Sequence, residues 1–393
     1  MISMGIDALS AKSSAASADS TAERSPASAL LYAATAVMVV ALTAQRSFFP
    51  HPHWTFWIFR ASFWHLLHQQ NLYARYGSHD LFKYSPTAAL LFAPFAVFSY
   101  PVGMLFWNAF NVGALIVVFR RLFPRQHAAL VLLLVLPELF NATQSSQSNA
   151  LVDALILLAF YSLENGRAWV ASLAIAVGTA IKLFPIAALS LAILYACRRR
   201  VALEFVLCAA ALFLLPLTIT SPAMLHAQYD WWRGVETTDA IARGASVMRA
   251  LHELFRVDWP NWPVQLAGVL MLLAPLLRRS SWSDIQFRRT YLASLLVFVV
   301  IFNHQSETPS FIIAAAGAAV WYIWSPRDHL RLALVLFGLT GLYAWGYLPI
   351  WAVMQAELHG AVLPVWRLWP EKAERRYRAA AAGLAVEQAD AET

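Results

Sequence analysis

The chain has 393 residues, 60% of them hydrophobic and 13% charged, with a mean hydropathy of +0.55, where soluble domains carry roughly 25% charged residues; no stretch of it reads as a soluble enzyme domain. Its net charge of +7 is distributed as short Arg clusters between apolar runs, a pattern of topogenic charge at a cytoplasmic face and not of a nucleic-acid surface. The two cysteines, Cys197 and Cys208, lie in or beside apolar runs, which argues against a disulfide framework or a zinc site.

In chain order, residues 1–28 are rich in Ser and Ala and contain no run of large apolar side chains. This predicts a disordered cytoplasmic tail rather than a signal peptide. A spanning helix needs about 20 apolar residues, because every backbone amide within lipid must be satisfied inside its own segment. Apolar runs, several of them short, occupy 29–45, 101–119, 128–142, 150–163, 168–181, 184–197, 201–219, 263–277, 290–303, 309–324 and 330–349. They predict an all-α, polytopic transmembrane helical bundle of about 11–12 spans within residues 29–369. Residues 350–369 read as a last span or an interfacial helix, and 370–393 as a basic, then Ala-rich tail.

Loop charge sets the orientation. Arg120, Arg121 and Arg125 mark one loop, and Arg198, Arg199 and Arg200 a second. Arg278, Arg279, Arg288 and Arg289 mark a third, Arg327 and Arg331 a fourth. With all four in the cytoplasm, loops 46–100, 141–149, 220–262 and 303–308 face the other side. Residues 84–98 are apolar, but a span there would reverse every later loop, so an outer-surface or re-entrant helix is expected. Segment 168–197 has cytoplasmic flanks and is interrupted at Lys182-Leu183-Phe184-Pro185. Two short helices meeting there would put Lys182 near the outer face, where a charge is costly unless paired or functional.

The first outer loop contains one acidic residue, Asp80, close to Lys83 and Tyr84. Such a carboxylate can serve as a general base while a cation holds a phosphate; it can equally cap the next helix or pair with Lys83. Glu307, in the polar loop 303–308 with His304, is the second candidate base, with interhelical pairing of the two as the alternative. Arg75, Lys83 and Lys182 are candidate phosphate ligands, and Tyr84 a candidate hydrogen-bond donor to it. Gln147 and Asn149 fall at an outer helix start, where they can bind sugar hydroxyls or cap the helix. His51, His53, His65 and His68 match no zinc spacing and suit an interfacial helix beside Trp54, Trp57 and Trp64, so no metal is expected. Tyr229-Asp230-Trp231-Trp232-Arg233 could stack on sugar or anchor at headgroups. No Gly-rich phosphate loop occurs, which disfavours a nucleotide as direct substrate, and no cofactor is expected.

Three stretches taken together resemble a known family. Asn71-Leu72-Tyr73, Leu81-Phe82-Lys83-Tyr84-Ser85-Pro86, Pro94, Trp107-Asn108 and Asn111 resemble the first conserved block of glycosyltransferase family 87. Gln147-Ser148-Asn149, Gly166-Arg167 and Ile181-Lys182-Leu183-Phe184-Pro185 are similar to its next signature in order and spacing. Phe302-Asn303-His304-Gln305-Ser306-Glu307-Thr308-Pro309-Ser310 resembles a late outer-loop motif of one branch. The resemblance covers about residues 30–350. It implies the C-type glycosyltransferase fold, with a long first outer loop carrying juxtamembrane helices and an active site at the outer membrane face. It also implies a polyprenyl-phosphate-sugar donor and transfer of a hexose, mannose among the candidates, to a lipid, glycan or protein acceptor. The expected setting is the inner membrane, with catalysis facing the periplasm or outside. Mannosyltransferases of this fold carry an acidic residue soon after the first span. Here that region reads Pro52-His53-Trp54-Thr55-Phe56-Trp57, which leaves Asp80 or Glu307 for the role of base.

Two other readings stay open. A transporter or lipid flippase also needs many spans and a few buried polar groups, but such proteins often show two related halves. No repeat is seen here, and the polar candidates gather at one face. A catalytically inactive family member is the other, because the early carboxylate is absent. The expected partners are the lipid-linked donor, its acceptor and membrane lipids, with no nucleic acid.

Overall fold

The computed structural model describes residues 26–49, 55–76, 80–256 and 258–361. Most of the expected N-terminal tail, His51, His53 and the whole 370–393 tail lie outside the described residues. Regular structure among the described residues is entirely helical. The order is α1 (Pro26–Phe48), α2 (Thr55–Leu67), the short α3 (Pro86–Leu91) and α4 (Ala93–Ala96), then α5 (Tyr100–Leu122) and α6 (Arg125–Gln144). There follow α7 (Asn149–Glu164), α8 (Ala168–Ile181), a 3-10 turn at Phe184–Ala188, α9 (Leu189–Ala192) and α10 (Arg198–Leu214). The chain continues through α11 (Pro222–Asp239), α12 (Val247–Phe255), α13 (Asn261–Leu273), α14 (Ile285–Ile301), α15 (Phe311–Trp324), α16 (His329–Gly338) and α17 (Ala344–Leu358).

Four segments are long and apolar enough to cross a bilayer: Pro26–Phe48, Tyr100–Leu122, Arg125–Gln144 and Arg198–Thr218. Shorter apolar helices at Ala168–Ile181, Asn261–Leu277, Thr308–Trp324 and His329–Gly338 coincide with further expected spans. The protein is an all-α membrane protein.

The centre of the bundle is the α14–α15 pair. Every residue from Thr290 to Ile301, and from Phe311 to Trp321, is buried. Their close approach follows from the run Ala314-Ala315-Ala316-Gly317-Ala318-Ala319: a Cβ on Gly317 would meet the Ala293 carbonyl at 2.8 Å. Small residues let backbones touch where lipid leaves no hydrophobic drive for association. Side-chain hydrogen bonds tie further helices: Gln355 Nε2 donates to Ser294 Oγ at 2.7 Å, and Asn108 Nδ2 to Thr43 Oγ1 at 3.1 Å. The outer helices show the reverse pattern. On α10 only Val201 is buried, while Leu203, Val206, Leu207, Phe213 and Leu214 are exposed, a surface suited to lipid.

Three sequence expectations change in detail. The single span expected at 330–349 is two helices, α16 and α17, turning back on each other through Leu339–Tyr343. Gly341 at φ +78° and Tyr343 at φ +52° make the reversal, and Gly338 admits the Tyr347 and Ile350 side chains of the returning helix. The second arm of 168–197 is a 3-10 turn and one short helix rather than a regular helix, because Pro185 packs against Gly178, 3.1 Å from where a Cβ would sit. Residues 84–98 form α3 and α4, each too short to span, started by Ser85, whose Oγ accepts the Ala88 amide at 3.1 Å.

The bundle has two chemically different ends. At one, Arg288 makes a two-point bond to Glu164, at 2.7 and 3.0 Å, and Tyr195 donates to the same carboxylate. Arg289 lies 5.2 Å from the Trp324 ring, and Arg331 bridges Asp328 and Glu357. α7 runs from that end to Asn149, about 24 Å away at 1.5 Å per residue. The other end carries the polar residues described next.

Candidate active site

Gln147 is the hub of this second end. It sits in the turn between α6 and α7, where Ser146 adopts φ +51° and Trp107 Nε1 donates to the Ser146 carbonyl at 2.7 Å. That turn aims the Gln147 side chain across the bundle. Its Nε2 donates to Glu307 Oε2 at 2.8 Å, and its Oε1 faces Tyr84 OH at 3.4 Å, Asn149 Nδ2 at 3.4 Å and Lys182 Nζ at 3.5 Å. Lys182 donates more strongly to Asn149 Oδ1, at 2.7 Å, and lies 5.6 Å from the Tyr84 ring. Asn149 is wholly buried. Lys182 reaches this point because α8 ends at Ile181 and the chain turns extended, φ −140° and ψ 142°.

Of these groups Tyr84, Lys182 and Glu307 line a cavity of about 510 Å³, within the usual size range of small-molecule sites, while Gln147 and Asn149 stand outside its lining. Further lining comes from α11 and the turn before α15. Lys83 Nζ contacts Asp239 Oδ2 at 2.7 Å. Gln305 Nε2 donates to Glu236 Oε2 at 3.3 Å and approaches Asp239 Oδ2 at 3.5 Å. His304 Nδ1 accepts from Gln265 Nε2 at 3.0 Å, which leaves its Nε2 protonated and, among the described residues, without a protein acceptor. The floor is apolar, with Phe298, Phe302 and Val299 from α14, Val269 from α13, and Leu183 and Ile186 after α8. Leu183 and Ile186 are each 49% exposed and Val269 37%, so the floor continues to the outer surface of the bundle.

The chain between α2 and α3 is held against α11. Leu72 N donates to Gln228 Oε1 at 3.0 Å, Gln228 Nε2 to the Gln70 carbonyl at 2.6 Å, and Trp232 Nε1 to the Lys83 carbonyl at 3.2 Å. Gly244 closes the far side. It adopts φ +45°, and a Cβ there would meet the Ser306 carbonyl at 2.5 Å; next to it, Ala245 N donates to that carbonyl at 2.7 Å.

The environment shifts several of these groups. Burial opposes charge on Lys83, but its bond to Asp239 together with the charges of Asp239, Asp80 and Glu307 outweighs this and holds its pKa above the ordinary value. Burial pushes the Tyr84 phenol up, with the Glu307 charge adding to it. Burial likewise raises the Glu236 carboxyl; Gln305 offsets this in part and Asp239 reinforces it. The His304 imidazole is pushed down by burial, against a smaller pull from Asp239.

The model of glycosyltransferase family 87 matches residues 82–345, well over half of the 393. The chain belongs to glycosyltransferase family 87. It is therefore a membrane glycosyltransferase, with a sugar donor and an acceptor as its substrates. No curated protein matches it.

Within this family 87 chain, the structure brings Tyr84, Gln147, Asn149, Lys182 and Glu307 into one hydrogen-bonded group. Lys83 and His304 line the same cavity. Asp80 and Arg75 are exposed and stand outside the cavity lining; the Asp80 carboxylate accepts the Leu81 amide at 2.9 Å. No cluster of three or more His, Cys, Asp or Glu suited to a metal occurs among the described residues. Sequence reading missed Glu236, Asp239, Gln265 and Gln305. Trp232, Glu236 and Asp239 are spaced i, i+4, i+7, so they share one face of α11; that spacing was the available signal.

Proposed function

We propose that this glycosyltransferase moves a hexose from a polyprenyl-phosphate donor to a hydroxyl of a lipid, glycan or protein acceptor, at the non-cytoplasmic face of the inner membrane. The observation that carries the reading is Lys182. Its ammonium is held by Asn149 at 2.7 Å at the edge of the cavity, directly above an apolar floor that reaches the bundle surface. A lipid phosphate matches both halves of that arrangement: an anion for the ammonium and a hydrocarbon chain for the floor. Lys83 adds a second cation to the cavity lining. The carboxylates beside it supply a base for the acceptor hydroxyl, the Gln305 amide suits sugar hydroxyls, and Gln147 and Asn149 hold Glu307 and Lys182 in place.

The Arg-rich loops lie at the bundle end away from the cavity, which supports a site on the side opposite the cytoplasm. Donors made in the cytoplasm as lipid-linked sugars are the form of activated sugar available there.

The test is direct transfer. The full chain in lipid nanodiscs is given radiolabelled polyprenyl-phosphate mannose, then the glucose analogue, with a membrane-lipid extract as acceptor. Label in a new product that disappears in Lys182→Met supports the reading. Donor binding without transfer would favour an inactive relative. Neither binding nor transfer would return the chain to the transporter reading.

A further inference from the structure

Among the described residues, three carboxylates line the cavity: Glu236, Asp239 and Glu307. What each can do depends on what already holds it. Asp239 has the Lys83 ammonium at 2.7 Å, so its carboxylate is already engaged by a cation. Glu307 accepts the Gln147 amide at 2.8 Å, so its carboxylate is already fixed within the hydrogen-bonded group around Gln147. Glu236 accepts a long bond, 3.3 Å from Gln305, and one from the Trp232 side chain, makes no ion pair among the described residues, and lines the same cavity from α11.

We propose that Glu236 is the catalytic base, the group that takes the proton of the acceptor hydroxyl. This rests on the cavity being the lipid-phosphate-sugar site proposed above. The acceptor oxygen bonds to the sugar C1 while the bond from C1 to the donor phosphate oxygen breaks. The electron pair of that bond stays on the lipid phosphate, which leaves against Lys182 and Lys83, and the hydroxyl proton ends on Glu236. Asp239 acts through Lys83: it positions the second cation and is a positioning residue. The device needs no acidic residue soon after the first span, where this chain has none.

The surroundings of Glu236 suit the task. Burial, reinforced by Asp239 one turn on, raises its carboxyl above the ordinary range, which makes a stronger base near neutral pH. The other titratable groups facing it are Lys83 and Tyr73 of the first outer loop.

The experiment uses the full chain in nanodiscs with the donor found above. It compares kcat, donor KM and pH profile for wild type, Glu236→Gln, Glu236→Asp, Glu307→Gln and Asp80→Asn. Glu236→Gln is expected to lower kcat by about 10²–10⁴-fold with donor KM unchanged, and Glu236→Asp to recover part of it. The acid limb of the wild-type kcat profile should disappear from the residual activity of Glu236→Gln. Binding of unlabelled polyprenyl phosphate to each variant separates chemistry from misfolding. Glu236→Gln at the wild-type rate, with Glu307→Gln or Asp80→Asn inactive, overturns the inference and leaves the functional reading intact. Loss of lipid-phosphate binding in both Glu236→Gln and Glu236→Asp makes the residue structural and also overturns it. Absence of transfer by the wild type overturns the functional reading and this inference with it.

Discussion

Gln147 and Glu307, 160 residues apart in sequence, are joined by a 2.8 Å hydrogen bond from Nε2 to the carboxylate. The bond ties the turn before α7 to the turn before α15. The remaining Gln147 oxygen gathers Tyr84, Asn149 and Lys182. One amide therefore fixes the relative positions of a cation and a carboxylate contributed by different parts of the bundle.

Truncating that amide should disorganise the wall as a unit. Gln147→Ala leaves Glu307 without its amide donor and Lys182 with Asn149 alone. A buried group deprived of its partner costs about 1–3 kcal/mol, and the expected loss in kcat/KM is about 10–100-fold. Gln147→Glu should be worse, because it sets two carboxylates face to face. Steady-state transfer by the two variants checks this ordering.

Lys182 should decide donor affinity. Lys182→Met removes the charge while keeping the stem, and binding of polyprenyl phosphate should weaken by about 1.5–3 kcal/mol, the range of a hydrogen bond to a charged group. Lys182→Arg should not restore it in full: the planar guanidinium does not fit the compact bond to Asn149. Titration of the purified protein with a short-chain polyprenyl phosphate measures both. Unchanged affinity in Lys182→Met would remove Lys182 from the phosphate site.

Gly244 should be intolerant of a side chain for reasons of space and of backbone. Its φ of +45° and the Ser306 carbonyl at 2.5 Å from an added Cβ mean that Gly244→Ala must push apart two cavity walls. Strain of this kind costs on the order of 1–3 kcal/mol. A lower unfolding temperature in detergent, with transfer activity reduced at all donor concentrations, is the expected result.

His304 makes stability pH-dependent in a defined direction. Burial lowers its pKa from the ordinary 6.5, so the folded protein prefers the neutral ring that accepts from Gln265. The stability this contributes is fully present above 6.5 and is lost as pH falls through the lower folded value. The unfolding temperature of the wild type should therefore drop on acidification below 6.5, and His304→Asn should flatten that part of the curve. Parallel curves for the two proteins would assign the drop to other groups.

Much of the candidate site is legible in the amino-acid sequence because it consists of polar residues in apolar surroundings. Lys182 between two apolar runs, Glu307 in a six-residue polar loop, and Gln147-Ser148-Asn149 at a helix start stand out for this reason. Burying such groups is expensive, so their presence signals partners. Asp80 stands out by the same logic, as the only acid of its loop, yet lies outside the cavity lining. Nothing local distinguishes a carboxylate facing a cavity from one facing solvent.

By itself, the amino-acid sequence determined that this is an all-helical membrane protein whose Arg-rich loops share one end, because hydropathy and loop charge are local properties that add along a chain. It also carried the family, through short motifs in a fixed order. Only the tertiary structure decided that α11 contributes Glu236 and Asp239 to the cavity that Lys182 lines, and that 330–349 turns back as two helices. Those outcomes depend on which helix faces pack together, and the packing joins residues far apart in the chain, such as Lys83 with Asp239 and Gln147 with Glu307.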